Sequence, residues 1–159
     1  MNTKYITILC LFLIGCQDSD PTFLNQPALN CDQLDNMQEY GSVDYELIMQ
    51  GDSYFNGECF TLFEDSEQIS EIRRYKNGVK HGKWVMFFSN GQVYYIGTAK
   101  EGIIEGPFEG YYDNGQMADK GKMKNGFKEG LWKTYTRDGE LSNKTLYKEG
   151  DVVRTKNYN

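Results

Sequence analysis

The chain has 159 residues, enough for one domain, with 14% aromatic residues, 17 Gly and only three Pro. That composition excludes a disordered acidic chain and suggests an ordered protein with many tight turns. A formal charge of −6 gives no reason to expect nucleic-acid binding.

The chain opens with "MNTK" and the apolar run "YITILCLFLIG". The run is shorter than the ~20 residues a membrane span needs, and it has the length of a signal-peptide core. It ends in "LIGC", Leu13 to Cys16, which resembles the bacterial lipobox. The resemblance implies that residues 1–15 are a lipoprotein signal peptide. Cys16 is then the lipidated first residue of the mature chain, anchored through several acyl chains. The alternative is an ordinary secretory signal with a chance cysteine. Gln17 follows instead of the Asp that resembles an inner-membrane retention signal, while Asp18 and Asp20 resemble the surface-export signal of Bacteroidota lipoproteins. The implied location is the bacterial outer membrane, lipid-anchored, on the periplasmic side or the cell surface.

Residues 16–30 read as a polar tether, with Pro21 and Pro27 opposing helix. Residues 31–54 read as an N-terminal cap region. Cys10 leaves with the signal, so Cys31 and Cys59 remain as an even pair in an oxidising compartment. A disulfide between them is expected to contribute about 3–4 kcal/mol in the chain-entropy model; the alternative is two separate buried thiols.

Charge divides along the chain. Cys16 to Glu71 holds 13 acidic residues and no Lys or Arg, whereas Ile72 to Asn159 holds 16 basic and 10 acidic residues. Two solvated faces would explain this. So would an acidic segment lying on basic repeats, or basic repeats that meet an acidic partner.

Residues 55–159 are dominated by a repeat of 24 residues. Gly78, Gly102, Gly126 and Gly150 share this step, as do Gly82, Gly106 and Gly130, and Gly91, Gly115 and Gly139. Trp84, Phe108 and Trp132 form an aromatic column, and Phe87, Tyr111 and Tyr135 form a second. Asn-Gly or Asp-Gly between aromatic and β-branched runs ("SNGQ", "DNGQ", "RDGE") signals a hairpin with a type I′ turn. The segments "KNGVKHG", "KEGIIEG" and "KNGFKEG" link one hairpin to the next. The expected fold is all-β: about four 24-residue β-hairpins in an extended antiparallel ribbon or open sheet, stacked because one hairpin cannot bury its apolar face alone. Gly97 and Gly121 fall inside strands. Their place is explained if an aromatic ring of the neighbouring strand lies across the bare backbone. Gly121→Val should then overpack, while Thr145→Val, where the last unit has lost its glycine, should be near neutral.

The pattern Asn-Gly-x-x-x-Gly-x-Trp-x-x-Tyr-x-x-Asn-Gly, over about Phe55 to Gly150, resembles the bacterial variant of the MORN repeat found in the YwqK-like antitoxin family. The resemblance implies a non-enzymatic protein that binds other proteins, with an antitoxin or immunity-like role. Nothing in the residues themselves points to catalysis. His81 lies on a linking loop between glycines and reads as solvated. No Cys-x-x-Cys, Gly-x-Ser-x-Gly or phosphate loop occurs, so no metal or other cofactor is expected. "DNMQEYGSVDYE", Asp35 to Glu46, departs from a calcium loop at Met37 and Tyr40. Tyr94 and Tyr95 break their columns, where other units have Ala118 and Asp119, then Ser142 and Asn143. They are the candidate partner-binding residues, because exposed Tyr suits interfaces. A protein partner is the first expectation; a surface glycan or peptidoglycan stacking on Tyr is the alternative.

Overall fold

The computed structural model describes residues 29–38 and 46–158. The signal segment, Cys10, Cys16 and most of the tether lie outside the described residues. The fold is all-β, with one long open sheet and a small three-stranded sheet.

The long sheet is a meander built from the repeat. Strands β5 (Gly57–Leu62) and β6 (Ile69–Lys76) form its first hairpin. Strands β8 (Gly82–Phe87) and β9 (Val93–Lys100) form the second, and β11 (Gly106–Tyr111) and β12 (Met117–Lys124) the third. The fourth is β13 (Phe127–Tyr135) with β14 (Leu141–Lys148), and a last strand, β15 (Asp151–Asn157), closes the series. The sheet thus extends half a unit beyond the four hairpins read from the sequence. Two-residue strands β7 (Val79–Lys80) and β10 (Ile103–Ile104) fold back on β6 and β9.

The turns reverse the expected assignment. At Asn90-Gly91 only the glycine has positive φ, at 82°. Gly91 N–H donates to Phe88 C=O, and Phe88 N–H donates to Gln92 C=O. This is a three-residue hairpin loop ending in a left-handed glycine, not a type I′ turn. The type I′ signature lies in the linking segments instead. Asn125 and Gly126 have φ of 51° and 81°, and Lys124 pairs with Phe127 across them. Asn-Gly occurs in both kinds of turn, so composition does not separate them; the number of residues between the paired strands does.

The expected ring-on-glycine contact is present. Trp84 faces Gly97, and Phe108 faces Gly121, across their hairpins. The next unit then approaches from the other side. Lys120 pairs with Lys133 and Lys122 with Glu129, so Gly130, Leu131 and Trp132 stand against Gly121 alone. The bulge swings the indole over the glycine. A Cβ on Gly121 would lie 2.3 Å from Trp132 Cδ2, and Trp132 is 2% exposed. At Gly97 the nearest ring atom, Trp84 Cε3, would be 3.1 Å away. Ring centroids follow one another along this face: Trp84 to Phe108 at 6.3 Å, Phe108 to Trp132 at 5.7 Å, and Trp132 to Tyr147 at 6.2 Å.

Both rims are stitched from unit to unit. At the hairpin tips, Asn90 Nδ2 donates to Asp113 C=O and Asn114 Nδ2 to Arg137 C=O. At the linking turns, Gly102, Gly126 and Gly150 N–H donate to Lys80, Ile104 and Lys128 C=O. There Glu105 and Glu129 carboxylates also accept from Asn125 and Glu149 N–H, both at 2.8 Å.

The first unit is closed by non-repeating chain. Strand β1 (Leu29–Asn30) pairs parallel with β5, so the tether ends before Leu29 and the sheet is not purely antiparallel. Cys31 and Cys59 form a disulfide across a separation of 28. The second sheet is β2 (Asp35–Gln38), β3 (Glu46–Gln50) and β4 (Ser53–Tyr54). Leu34, Ile48, Phe55, Cys59 and Tyr75 form a buried cluster between cap and ribbon.

The two glycines, equivalent in sequence, are therefore unequal in space. Gly121→Ala is expected to cost about 1–3 kcal/mol, because a buried indole cannot yield. Gly97→Ala should cost less. Thr145 is itself buried, and its hydroxyl contacts Asn143 Oδ1 at 3.3 Å and Thr155 Oγ1 at 3.1 Å. Thr145→Val is thus not neutral and should lose about 1 kcal/mol. Thermal melts of the three variants check this order; a Gly121→Ala midpoint at or above wild type would remove the ring-on-glycine account.

Candidate functional site

Tyr94 and Tyr95 are consecutive in β9, and consecutive strand residues ordinarily point to opposite faces. Here the register shifts: Met86 pairs with Tyr95 and Phe87 with Val93, leaving Tyr94 as an extra residue. The bulge brings the two rings together, with centroids 3.7 Å apart, and Tyr95 O–H donates to Tyr94 Oη at 2.8 Å. The same shift occurs at Ala118 and at Ser142 in the later units. Only the residue type differs, so the scaffold for the Tyr pair is common to the units and the rings are particular to one.

Phe88 extends the stack, 4.5 Å from Tyr94. Tyr95 also lies 5.3 Å from Phe108. Phe88, Tyr94 and Tyr95, together with Tyr111, Tyr112, Asp119 and Arg137, line a shallow cleft of about 400 Å³ near the hairpin tips. Arg137 sits over the Tyr112 ring at 5.4 Å and pairs with Asp113. Tyr112 O–H donates to Tyr135 C=O.

Tyr95 has a packing role that its own column does not reveal. It faces Gly110, where a Cβ would meet the Asp119 carboxylate first and then Tyr95 Cε1 at 3.1 Å. A large residue and an absent side chain complement each other across two strands. Tyr94 has no such counterpart glycine, so of the two it is the ring more available to a ligand. Tyr112 and Arg137 were not singled out in the sequence. Their signal is weak there, because they meet only when consecutive tips stack.

Burial, then the hydrogen bond to Tyr94, pushes the Tyr95 hydroxyl up to about 12. Burial, then the bond to Glu109 at 2.7 Å, does the same for Tyr111, also to about 12. Near neutral pH both are neutral phenols that donate hydrogen bonds and offer π faces. They suit binding rather than proton abstraction. His81 is half-buried, not fully solvated, and its N–H donates to Arg74 C=O. Among the described residues no group of three or more His, Cys, Asp or Glu is placed to hold a metal ion.

Three successive stretches match the MORN repeat variant, at residues 80–101, 104–125 and 128–149. Each stretch begins at a linking segment and ends at the next. The first, divergent unit around β5 and β6 falls outside the matches. No curated protein sequence matches the chain.

A raised phenol value carries a sign for stability. The protonated form is favoured in the fold, so the contribution is complete below the free value of 10.0 and is lost as pH rises toward about 12. Tyr95→Phe should flatten the fall of the melting midpoint across that window. Ultraviolet titration of phenolate should show one fewer late-ionising group in the variant.

Proposed function

We propose that this is a non-enzymatic, lipid-anchored repeat protein that presents its β-ribbon to a protein partner. The observation that carries this reading is the Phe88–Tyr94–Tyr95 stack, a set of half-buried rings at the rim of an open sheet. Large aromatic side chains with a polar tip are enriched where proteins bind one another. The MORN-like units add weight, since a stack of identical supports holding one variable group is how repeat proteins build binding faces. An antitoxin or immunity-like role is the specific form of this reading that the family resemblance suggests.

A glycan-binding role is the second reading. The same rings form a flat platform, and neutral phenols are suited to sugar hydroxyls. Tyr94→Ala should keep the folding stability within about 1 kcal/mol of wild type, because Tyr94 covers no glycine. In cells, photo-crosslinking from position 94 should capture a discrete protein. A glycan array that lights up with the wild-type protein and goes dark with Tyr94→Ala would favour the second reading instead.

The anchor has its own test. Cys16→Ala should leave an uncleaved precursor without fatty-acid label, because the thiol is the acylation site. Normal processing and labelling of the variant would defeat the lipoprotein reading.

A further inference from the structure

The register places four lysines side by side. Lys120 of β12 faces Lys133 of β13, Lys133 faces Lys144 of β14, and Lys144 faces Lys156 of β15. Adjacent strands lie ~4.8 Å apart, so the row runs about 14 Å across the sheet. Like charges directly opposite one another destabilise a sheet. Toward the cap, the same transverse row is Glu109, Ile96, Val85, Ile72 and Phe60. Beyond Glu109, the apolar stretch from Ile96 to Phe60 shows that the row does not need lysine to form strands.

No ion pair among the described residues neutralises the row; those formed involve Arg73, Arg74, Lys128 and Arg137. Strands β5 and β6, where the acidic half of the chain ends at Glu71, lie at the other end of the ribbon, so they do not cover it. Beside the row, on the same face by strand alternation, Leu131 faces Leu146, and the two are 54% and 36% exposed. Arg154 stands opposite Leu146. The Lys144 ammonium, then that of Lys156, holds the half-buried Tyr158 hydroxyl below its usual range, and the two ammonium groups lie 5.2 and 5.0 Å from the centre of its ring. The field on this face is therefore strongly positive.

We propose that Lys120, Lys133, Lys144 and Lys156, with the Leu131–Leu146 pair, form the docking face for an acidic polypeptide segment that carries apolar side chains. This rests on the protein-binding reading above and names the chemistry of the partner. Carboxylates relieve the repulsion along the row, and an apolar side chain covers the leucine pair. A phosphate polymer satisfies the lysines and leaves the leucines bare. A second copy brought strand to strand against β15 sets Arg154 and Lys156 beside like charges, which opposes self-pairing.

The test uses the mature exported protein and a fluorescein-labelled peptide of Glu-Glu-Leu repeats, read by anisotropy. The expected result is salt-sensitive binding that weakens at least about tenfold in the Lys133→Glu, Lys144→Glu double variant. Leu131→Ser with Leu146→Ser should weaken it about threefold or more, while Lys83→Glu, outside the row, changes little. Melting of Lys133→Gln with Lys144→Gln should move upward as the repulsion is removed, and this also shows that the charge variants fold. Equal peptide binding by wild type and the double lysine variant overturns the proposal. Preferential binding of inorganic polyphosphate or phosphatidylglycerol vesicles, indifferent to the leucines, overturns it in favour of a phosphate surface. Lysine-dependent self-association by light scattering overturns it in favour of a second copy. If the peptide fails while a protein is still crosslinked at position 94, only the lysine face is lost; failure of both removes the protein-binding reading itself.

Discussion

The indole of Trp132 rests on the backbone of Gly121, and the long sheet depends on contacts of this kind. A single-layer sheet has no second layer to bury its apolar side chains. This ribbon meets that constraint by laying its rings flat along its own surface, so each strand supplies both the covering group and the covered one. A glycine in a strand loses intrinsic strand preference, and here the loss is offset by ring contact on both sides. Tyr95 over Gly110 repeats the solution one row away with different residues.

Placing a ring on a glycine requires the strands to be out of step. The bulge at Gly130 to Trp132 sets three residues against one, and the smaller bulge at Tyr94 turns two neighbouring rings to one side. Between the bulges the rims hold the units in register. Asn90 and Asn114 reach the following tip, and Glu105 and Glu129 accept from the following linking turn. Each unit therefore contacts its neighbours through backbone hydrogen bonds, rings and both edges, while the face between remains free to vary.

Much of this was legible in the sequence because it is periodic. The glycine and aromatic columns keep one step of 24 residues, and a contact between two such columns repeats wherever they do. The turn types were misread because Asn-Gly occupies both rims. Thr145 was expected to be indifferent, but its hydroxyl has partners on β14 and β15 that only the final strand supplies. The lysine row was not visible because its members, Lys120, Lys133, Lys144 and Lys156, share no single interval; hairpin register and three bulges bring them into line. The small sheet of β2 to β4 was hidden for a simpler reason, since it carries no repeat.

The bridge between Cys31 and Cys59 gives the molecule a definite load path. Tension entering the chain ahead of Leu29 reaches the sulfur of Cys31 after only a few residues. From there it passes covalently into the middle of β5 and bypasses β2, β3 and β4. The small sheet is mechanically in parallel with the bridge and carries little of the force. The strands of the ribbon run across its long axis, so a pull between the two ends opens interstrand hydrogen bonds in series. Rupture then begins between neighbouring strands, while the capped end stays intact until the disulfide is reduced.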